Sequence, residues 1–214
     1  YYAKKYQFSI NIFRTNLKDK IQFSPADDEV KKFGYSYQWE NVDDAYVQGV
    51  ELGAKANLFR NFNAGINWTF NQGKFKHERA DWSDPNDETV KEFPQRLQYA
   101  KDSRNISRFP AMTGDIDLDY TPGTWTFSLT SSLQGRMFID YNSEDDGATS
   151  KIKKTNTFMI FNCRAAKRFG TCTVYAGAKN IFSYIQDEKH TDDAAFMYAP
   201  VYGATWYVGL SVKL

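Results

Sequence analysis

The chain has 214 residues, of which 17% are aromatic, yet its mean hydropathy is negative at -0.62. This aromatic content excludes intrinsic disorder, and no run approaches the ~20 apolar residues that a membrane-spanning helix needs. Lys and Arg total 27 against 26 Asp and Glu, so no basic surface for nucleic acid is indicated. The composition favours a mostly β protein, and the length is sufficient for one or two domains.

Eight segments alternate between apolar and polar residues with the period of two that is typical of β-strands. The clearest is Trp125 to Asp140, which we interpret as one long strand. We place the eight strands around residues 6–12, 50–58, 66–70, 112–120, 125–140, 155–169, 171–184 and 202–214.

Short and long connections alternate between these strands. The short ones lie at 60–63, 122–124 and Gly170, and the long polar ones at 25–34, 80–109, 141–154 and 186–200. Outer-membrane barrels have short periplasmic turns and long extracellular loops, with apolar side chains facing lipid. The pattern therefore predicts an all-β, antiparallel up-and-down transmembrane β-barrel, with a soluble sandwich as the alternative. Tyr120, Trp125 and Phe169 would belong to an aromatic girdle at the short-turn end.

The polar parity of the strands carries charged residues that suit a wet barrel interior. The candidate lumen-facing residues are Glu51, Lys55, Asp115, Asp117, Asp119 and Arg136. They could face a plug or line a transport route. A solvated or ion-paired sheet face would carry the same pattern.

One stretch changes parity. Phe33, Tyr35, Tyr37 and Trp39 alternate on odd positions, but the apolar parity beyond Asn41 is even. Either a β-bulge near 41–44 switches the faces, or these four aromatics point into the lumen above the membrane. The sequence leaves both open.

Four phrases resemble the C-terminal barrel of TonB-dependent outer-membrane receptors of Gram-negative bacteria. They are FSINIFRTNLKDKIQF (8–23), ENVDDAYVQGVELGAKANL (40–58), YAGAKNIF (175–182) and YGATWYVGLSVKL (202–214), in the family's order. The last also resembles the family's barrel-insertion signal, here Gly209, Val212 and Leu214, although it ends in Leu instead of Phe and has Ala204 where the family has Arg.

The resemblance implies a transporter without covalent chemistry or cofactors, importing an iron-siderophore, haem, cobalamin or a glycan with energy from TonB. Family members have a barrel of roughly 22 strands with an N-terminal plug. We therefore expect residues 1–214 to be the last eight strands, with the plug, the TonB-engaging box and the earlier strands outside this chain. The implied partners are that plug and those strands, the TonB complex, outer-membrane lipid, lipopolysaccharide and a surface lipoprotein.

Aromatic and arginine side chains in the long loops are the candidate substrate contacts, because they suit flat, anionic or glycan ligands. These candidates are Trp82, Phe93, Arg96, Tyr99, Arg104, Tyr141 and Tyr198. The alternative is that they only pack within the loops.

Two other functions remain as alternatives. A complete eight-stranded structural or adhesin barrel would close on itself. A barrel hydrolase would use His77 with Asp81, or His190 with Asp192, but no Gly-x-Ser-x-Gly motif accompanies them.

Two further features are undecided by the sequence. The acidic stretches 83–88 and 143–147 could bind calcium but match no EF-hand spacing, so we predict no metal site. Cys163 and Cys172 flank the predicted turn at Gly170, and whether they form a disulfide depends on strand register.

Overall fold

A computed structural model describes residues 5–142, 151–185 and 202–213. Its strands in chain order are β1 (Tyr6–Pro25), β2 (Tyr37–Phe59), β3 (Phe62–Phe75), β4 (Met112–Tyr120), β5 (Trp125–Gln134), β6 (Phe138–Asn142), β7 (Lys151–Lys154), β8 (Phe158–Phe169), β9 (Cys172–Lys179) and β10 (Thr205–Val212). Four short α-helices and one 3₁₀ helix lie in the connections: α1 (Asp28–Lys31), α2 (Ala80–Ser83), α3 (Glu88–Glu92), α4 (Arg96–Tyr99) and the 3₁₀ helix Ala100–Arg104. No helix within the described ranges is both long enough and apolar enough to cross a bilayer.

Eight strands form one antiparallel sheet in the order β1-β2-β3-β4-β5-β8-β9-β10, and β6 and β7 form a separate hairpin. Neighbours in the sheet are neighbours in the chain, apart from the inserted hairpin. This is the predicted up-and-down arrangement, with all eight predicted strand positions represented.

The register brings the apolar parities of all eight strands onto one side of the sheet, which we call the apolar face. Ile66 pairs with Ala54 on one side and Ile116 on the other. Farther along the sheet Leu129 pairs with Leu118 and Cys163. The other side, the polar face, carries the alternating polar residues.

The apolar face has the height of a membrane. β4 crosses it in 9 residues, and a tilted membrane strand needs about 9–11. We call the part of the sheet that β4 crosses the membrane band. On the long-loop side of this band the apolar face carries polar side chains: Arg14 Nη1 donates to Gln48 Oε1 at 3.0 Å, and Gln48 Nε2 donates to Gln72 Oε1 at 2.9 Å. Hydrogen-bonded polar side chains at this level mark the upper border of the band.

Aromatic rings mark the lower border, at the short turns. Phe59 stacks on Phe62 with centroids 4.8 Å apart, and Trp125 stacks on Phe127 at 5.6 Å. Tyr120 lies between them, 6.3 Å from Phe62 and 6.4 Å from Phe127. The row has the position expected of an interfacial girdle.

The three short connections are tight turns that need left-handed backbone. Asn61, Gly123 and Gly170 have φ of 66°, 59° and 60°. Glycine adopts this region without strain and Asn tolerates it better than most residues. The predicted short turns are therefore confirmed.

Bulges in both β1 and β2 explain the parity change. The pairing shifts between Leu17/Ala45 and Lys20/Asp43, and again before Ile21/Asn41, where Val42 is the extra residue of β2. Because paired positions alternate between the two faces, Trp39 and Tyr37 return to the apolar-face side. The bulge hypothesis is confirmed, and the lumen-facing alternative is not what the register shows.

The predicted single strand Trp125 to Asp140 is wrong. β5 ends at Gln134, and the Gly135 amide donates to the Met112 carbonyl at 2.6 Å. A Cβ at Gly135 would lie 2.7 Å from that oxygen, so the chain can approach β4 only because this residue is glycine. The chain then leaves the sheet and forms the β6–β7 hairpin.

Reciprocal glycine–tyrosine pairs join β9 to β10 on the polar face. Gly177 pairs with Tyr207, and Gly209 pairs with Tyr175. A Cβ on Gly177 would lie 2.5 Å from Tyr207 Cζ, and one on Gly209 would lie 2.6 Å from Tyr175 Cε2. Each tyrosine ring therefore covers the backbone of the glycine opposite it.

The two cysteines are not opposite each other. Cys163 pairs with Ala178, whereas Cys172 pairs with Phe169, six positions farther along the strand. At about 3.3 Å per residue their separation far exceeds the reach of a disulfide. Both are free and half-buried on the apolar face.

Within the described residues β1 and β10 do not pair, so the eight strands do not close on themselves. Both edges are exposed on the apolar face, where Ile12 and Val208 are 77% and 84% accessible. A complete eight-stranded barrel would require that pairing. The sheet is part of a larger barrel, and the small-barrel alternative is not supported.

Candidate functional site: the β3–β4 loop and the polar face

The loop that joins β3 to β4 is a folded unit with its own core. Trp82 in α2 is 1% accessible and packs with buried Ala100, with Phe93 and Tyr99 packed around them. Val90 of α3 is 2% accessible. Because helices this short are unstable alone, their tertiary packing must supply the stability.

Hydrogen-bonded side chains define the ends of the loop helices. Asp87 caps α3, accepting from the Thr89 hydroxyl at 2.5 Å and from the Thr89 amide at 2.9 Å. These two bonds, the hydroxyl bond first, hold the pKa of Asp87 below its usual value. Asp84 Oδ1 accepts from the Asn86 amide at 2.8 Å. The acidic stretch 83–88 therefore serves turns and caps, and no metal-binding cluster of His, Cys, Asp or Glu occurs among the described residues.

Asp81 holds two arginines at the surface of the loop core. Arg79 donates from Nε to Asp81 Oδ1 at 2.9 Å and from Nη2 to Asp81 Oδ2 at 2.7 Å. Arg96 Nη1 lies 3.6 Å from Asp81 Oδ2. The Arg79 guanidinium also lies 5.6 Å from the Trp82 ring centroid. A fork-shaped pair of this kind fixes orientation as well as adding electrostatic energy.

The β6–β7 hairpin supports the loop from one side. The Phe138 ring meets Trp82 edge-on at 6.3 Å, and Lys154 Nζ lies 3.6 Å from Asp102 Oδ2. Met137 and Ile139 next to Phe138 are themselves buried. The two long connections thus pack into one unit.

The second half of the loop lies over the polar face of the sheet. Asn105 bridges to Lys74, and the Ile106 amide donates to the Gly73 carbonyl at 3.1 Å. A Cβ at Gly73 would lie 3.0 Å from Phe109 and 3.1 Å from Ile106. Gly73 belongs to the polar parity, so these two side chains cover the polar side of β3 at the long-loop end of the sheet, which we call the mouth.

An acidic side chain at the bulge anchors the start of the loop. The His77 amide donates to Asp43 Oδ2 at 2.6 Å, and His77 Nδ1 lies 3.0 Å from Asp43 Oδ1. Desolvation raises the pKa of Asp43, but the hydrogen bonds from His77 and Asp44 outweigh it and lower the pKa overall. His77 thus pairs with Asp43 instead of the predicted Asp81, and His190 and Asp192 lie outside the described residues.

Below the mouth, the predicted acidic row lies on the polar face. Asp115 accepts from Asn67 Nδ2 at 2.8 Å, and Asp119 accepts from Ser128 Oγ at 2.6 Å. A concavity of about 540 Å³ is lined by Asp117, Asp119 and Lys55, among others. Asp115 and Asp119 are therefore hydrogen-bonded to neighbouring strands, and Asp117 and Asp119 face an open space near the short-turn end.

The other predicted polar-face residues differ in position. Glu51 is on the polar face, accepting from Asn11 Nδ2 at 3.0 Å. The prediction that Arg136 lies on the polar face of the sheet is wrong. Arg136 lies beyond the end of β5, where its amide donates to Thr157 Oγ1 at 3.1 Å. It is exposed but does not belong to the sheet.

The structure also places the predicted loop contacts. For Trp82 it favours packing, since the ring has no accessible face. Phe93 and Tyr99 are partly buried against the same core, and Arg104 Nε donates to the Phe75 carbonyl at 3.1 Å. Tyr141 lies in β6, and Tyr198 lies outside the described residues. Gly209 and Val212 of the predicted insertion signal lie in β10, and Leu214 lies outside the described residues.

Sequence reasoning missed three elements of this site: the Asp43–His77 contact, the cover formed by Ile106 and Phe109, and the support from Phe138. Only Gly73 offered a signal, because an isolated glycine in a strand indicates close approach of another group. The others depend on contacts between distant segments.

A family model described as TonB dependent receptor-like, beta-barrel matches residues 1–181. The chain belongs to the TonB-dependent receptor family. The predicted fold and the outer-membrane location of this receptor segment are thereby confirmed, since the receptors of this family are outer-membrane β-barrels.

Solved structures share the fold. The copper transporter OprC matches at a TM-score of 0.64 and 21% identity over 98% of this chain and 28% of that chain. The ferric citrate transporter FecA, unliganded, matches at 0.65 and 18% identity over 99% and 29%. A mutant ferric enterobactin receptor PfeA from Pseudomonas aeruginosa, in complex with enterobactin, matches at 0.64 and 20% identity over 99% and 30%. The chain thus spans less than a third of the length of the structures that it matches.

Proposed function

We propose that this receptor segment forms part of the wall and mouth of an active importer driven through TonB, with a metal cargo, meaning a metal ion or its complex with citrate or a siderophore. The family membership carries the proposal. The copper, ferric citrate and ferric enterobactin named for the structural relatives favour a metal cargo over haem, cobalamin or a glycan. Transport of this kind needs binding and gating but no covalent chemistry.

In this proposal the β3–β4 loop is a preformed part of the ligand site. Its core and its anchors at Asp43 and Gly73 hold it over the mouth. Preorganisation lowers the conformational entropy lost on ligand binding. The exposed cations Lys101 and Arg108 of this loop are then available to attract an anionic chelate.

The polar face would contact the plug. The acidic row and the 540 Å³ concavity offer hydrogen-bond acceptors to a hydrated partner surface. The plug and the remaining strands come from the rest of the receptor, and lipid and lipopolysaccharide cover the apolar face.

The test is uptake of radiolabelled metal in cells that express the intact receptor. Ferric citrate, ferric enterobactin and copper are supplied separately, with and without TonB. We expect one of them to accumulate only when both receptor and TonB are present. Uptake that persists without TonB would indicate a passive porin. Parallel assays supply labelled haem, cobalamin and a glycan, and TonB-dependent accumulation of one of these instead would refute the metal cargo.

A further inference from the structure

An apolar groove lies on the outer side of the sheet, near the short turns. Its floor consists of small side chains on β8 and β9, namely Cys163, Ala165 and Ala176. Its walls are larger: Phe127 and Leu129 stand on β5, and Trp206 and Val208 stand on β10. The groove holds about 610 Å³.

The floor of the groove differs from the rest of its lining. Larger side chains on β3 and β4, those of Phe62, Leu118 and Tyr120, also line the groove. On β8 and β9 the paired residues Ala165 and Ala176 leave a channel two strands wide. Neighbouring strands lie about 4.8 Å apart, so this channel accommodates one extended hydrocarbon chain.

A lysine lies beside the groove, on its short-turn side. Lys167 follows Ala165 by one outward position on β8 and pairs with Trp125 and Val174. Its Nζ lies 4.5 Å from the Trp125 ring centroid and 5.5 Å from that of Phe169. Both rings belong to the girdle, so the ammonium group is held at the membrane border with N–H donors left for another acceptor.

We propose that this groove binds one phospholipid of the periplasmic leaflet, with an acyl chain over Ala165 and Ala176 and the headgroup phosphate at Lys167. The position of the lysine decides the occupant. Apolar walls favour a hydrocarbon chain, and a cation at the girdle favours an anionic headgroup. The short-turn end is the periplasmic end, and the lipid leaflet on that side consists of phospholipid. An anionic lipid such as phosphatidylglycerol fits best, because its phosphate has no amine of its own. The inference depends on the outer-membrane location and not on the cargo.

The test is native mass spectrometry of the intact receptor, delipidated in detergent and titrated with phosphatidylglycerol, phosphatidylcholine or lipid A. We expect phosphatidylglycerol to bind best, and Lys167→Gln to weaken it about five-fold. Lys167→Arg should preserve binding, since it keeps the charge. Lys91→Gln, at an exposed lysine of α3 far from the groove in the β3–β4 loop, is the matched control and should have no effect.

A second variant tests the groove independently of the charge. Ala165→Phe places a ring in the channel and should reduce phosphatidylglycerol binding while Lys167 remains. Heat-modifiability on a gel confirms that each variant is folded. Equal retention of phosphatidylglycerol by the wild type, Lys167→Gln and Ala165→Phe would overturn the proposal, and so would a preference for lipid A that depends on Lys167.

Discussion

The membrane band and the mouth of this receptor segment are built on different principles. In the band every residue's environment follows from its parity, as Ile66 on the apolar face and Asn67 on the polar face show. At the mouth parity fails: bulges at Val42 and near Asp19 redirect the strands, and the β3–β4 loop buries Trp82 in a small core of its own. The positions of side chains in the band thus depend on which solvent each face contacts, whereas those at the mouth depend on packing within the protein.

The largest expected effect is at the mouth. Trp82→Ala removes the most buried side chain of the loop and should destabilise the loop by about 3–5 kcal/mol. Limited proteolysis should then cut within 80–109, while heat-modifiability of the barrel stays unchanged.

Trp39→Ala, at a 72% accessible ring on the strand extension, is the matched control and should leave the loop resistant to protease. If Trp82→Ala instead unfolded the whole barrel, the mouth and the band would be one cooperative unit.

The next effect tests the faces of the band. Ile66→Arg places a charge on the apolar face near the middle of the band and should cost about 2–4 kcal/mol in a bilayer. The neighbouring change Asn67→Arg places it on the polar face, near Asp115, and should cost little. The measurement is the urea midpoint of the receptor refolded into liposomes, and equal midpoints for the two variants would show that the faces are misassigned.

A smaller effect is expected where β9 and β10 pack closely on the polar face. Gly177→Ala pushes a methyl group into the Tyr207 ring and should destabilise the barrel by about 1–3 kcal/mol. Gly65→Ala is the control on the same face, since its Cβ would approach no atom closer than 3.9 Å. Adding Tyr207→Ser should restore the stability of Gly177→Ala, and failure of this rescue would exclude the ring contact as the cause.

The smallest effect concerns the anchor at the mouth. Because the pKa of Asp43 is lowered in the folded state, its stabilisation is present above the unfolded value of about 4 and is lost as the pH falls through the folded value. Hydrogen exchange at the His77 amide should therefore show protection that decreases in this acid range. In Asp43→Asn this pH dependence should vanish, whereas Asp28→Asn, at a 93% exposed side chain, should retain it. Protection that increased on acidification would contradict the assigned sign.

Much of the band was predictable, because period-two alternation and left-handed turn residues are local signals. The prediction of one long strand from Trp125 to Asp140 was wrong for a related reason. Alternation continues through Gly135, but an alternating pattern does not show where backbone pairing with the neighbouring strand ends. The bulge was one of two options until the partner register was known.

The candidate site was less predictable. A tryptophan in a polar loop suits a ligand contact and a small core equally well, and only the neighbours of Trp82 decide between them. Arg136 was assigned to the polar face by parity, but β5 ends before it, so the alternation of the strand no longer applies to this residue. Asp43 and His77 are 34 residues apart, so nothing local connects them.

The sequence by itself determined that two chemically different faces exist and that long and short connections alternate between the strands. Both are properties of neighbours in the chain, set by side-chain direction in extended backbone. Only the tertiary structure decided that the eight strands remain open, that the β3–β4 loop folds over the polar face, and that small residues on β8 and β9 form the floor of a groove beside Lys167. These depend on register and on contacts between distant segments, which alternation alone does not encode.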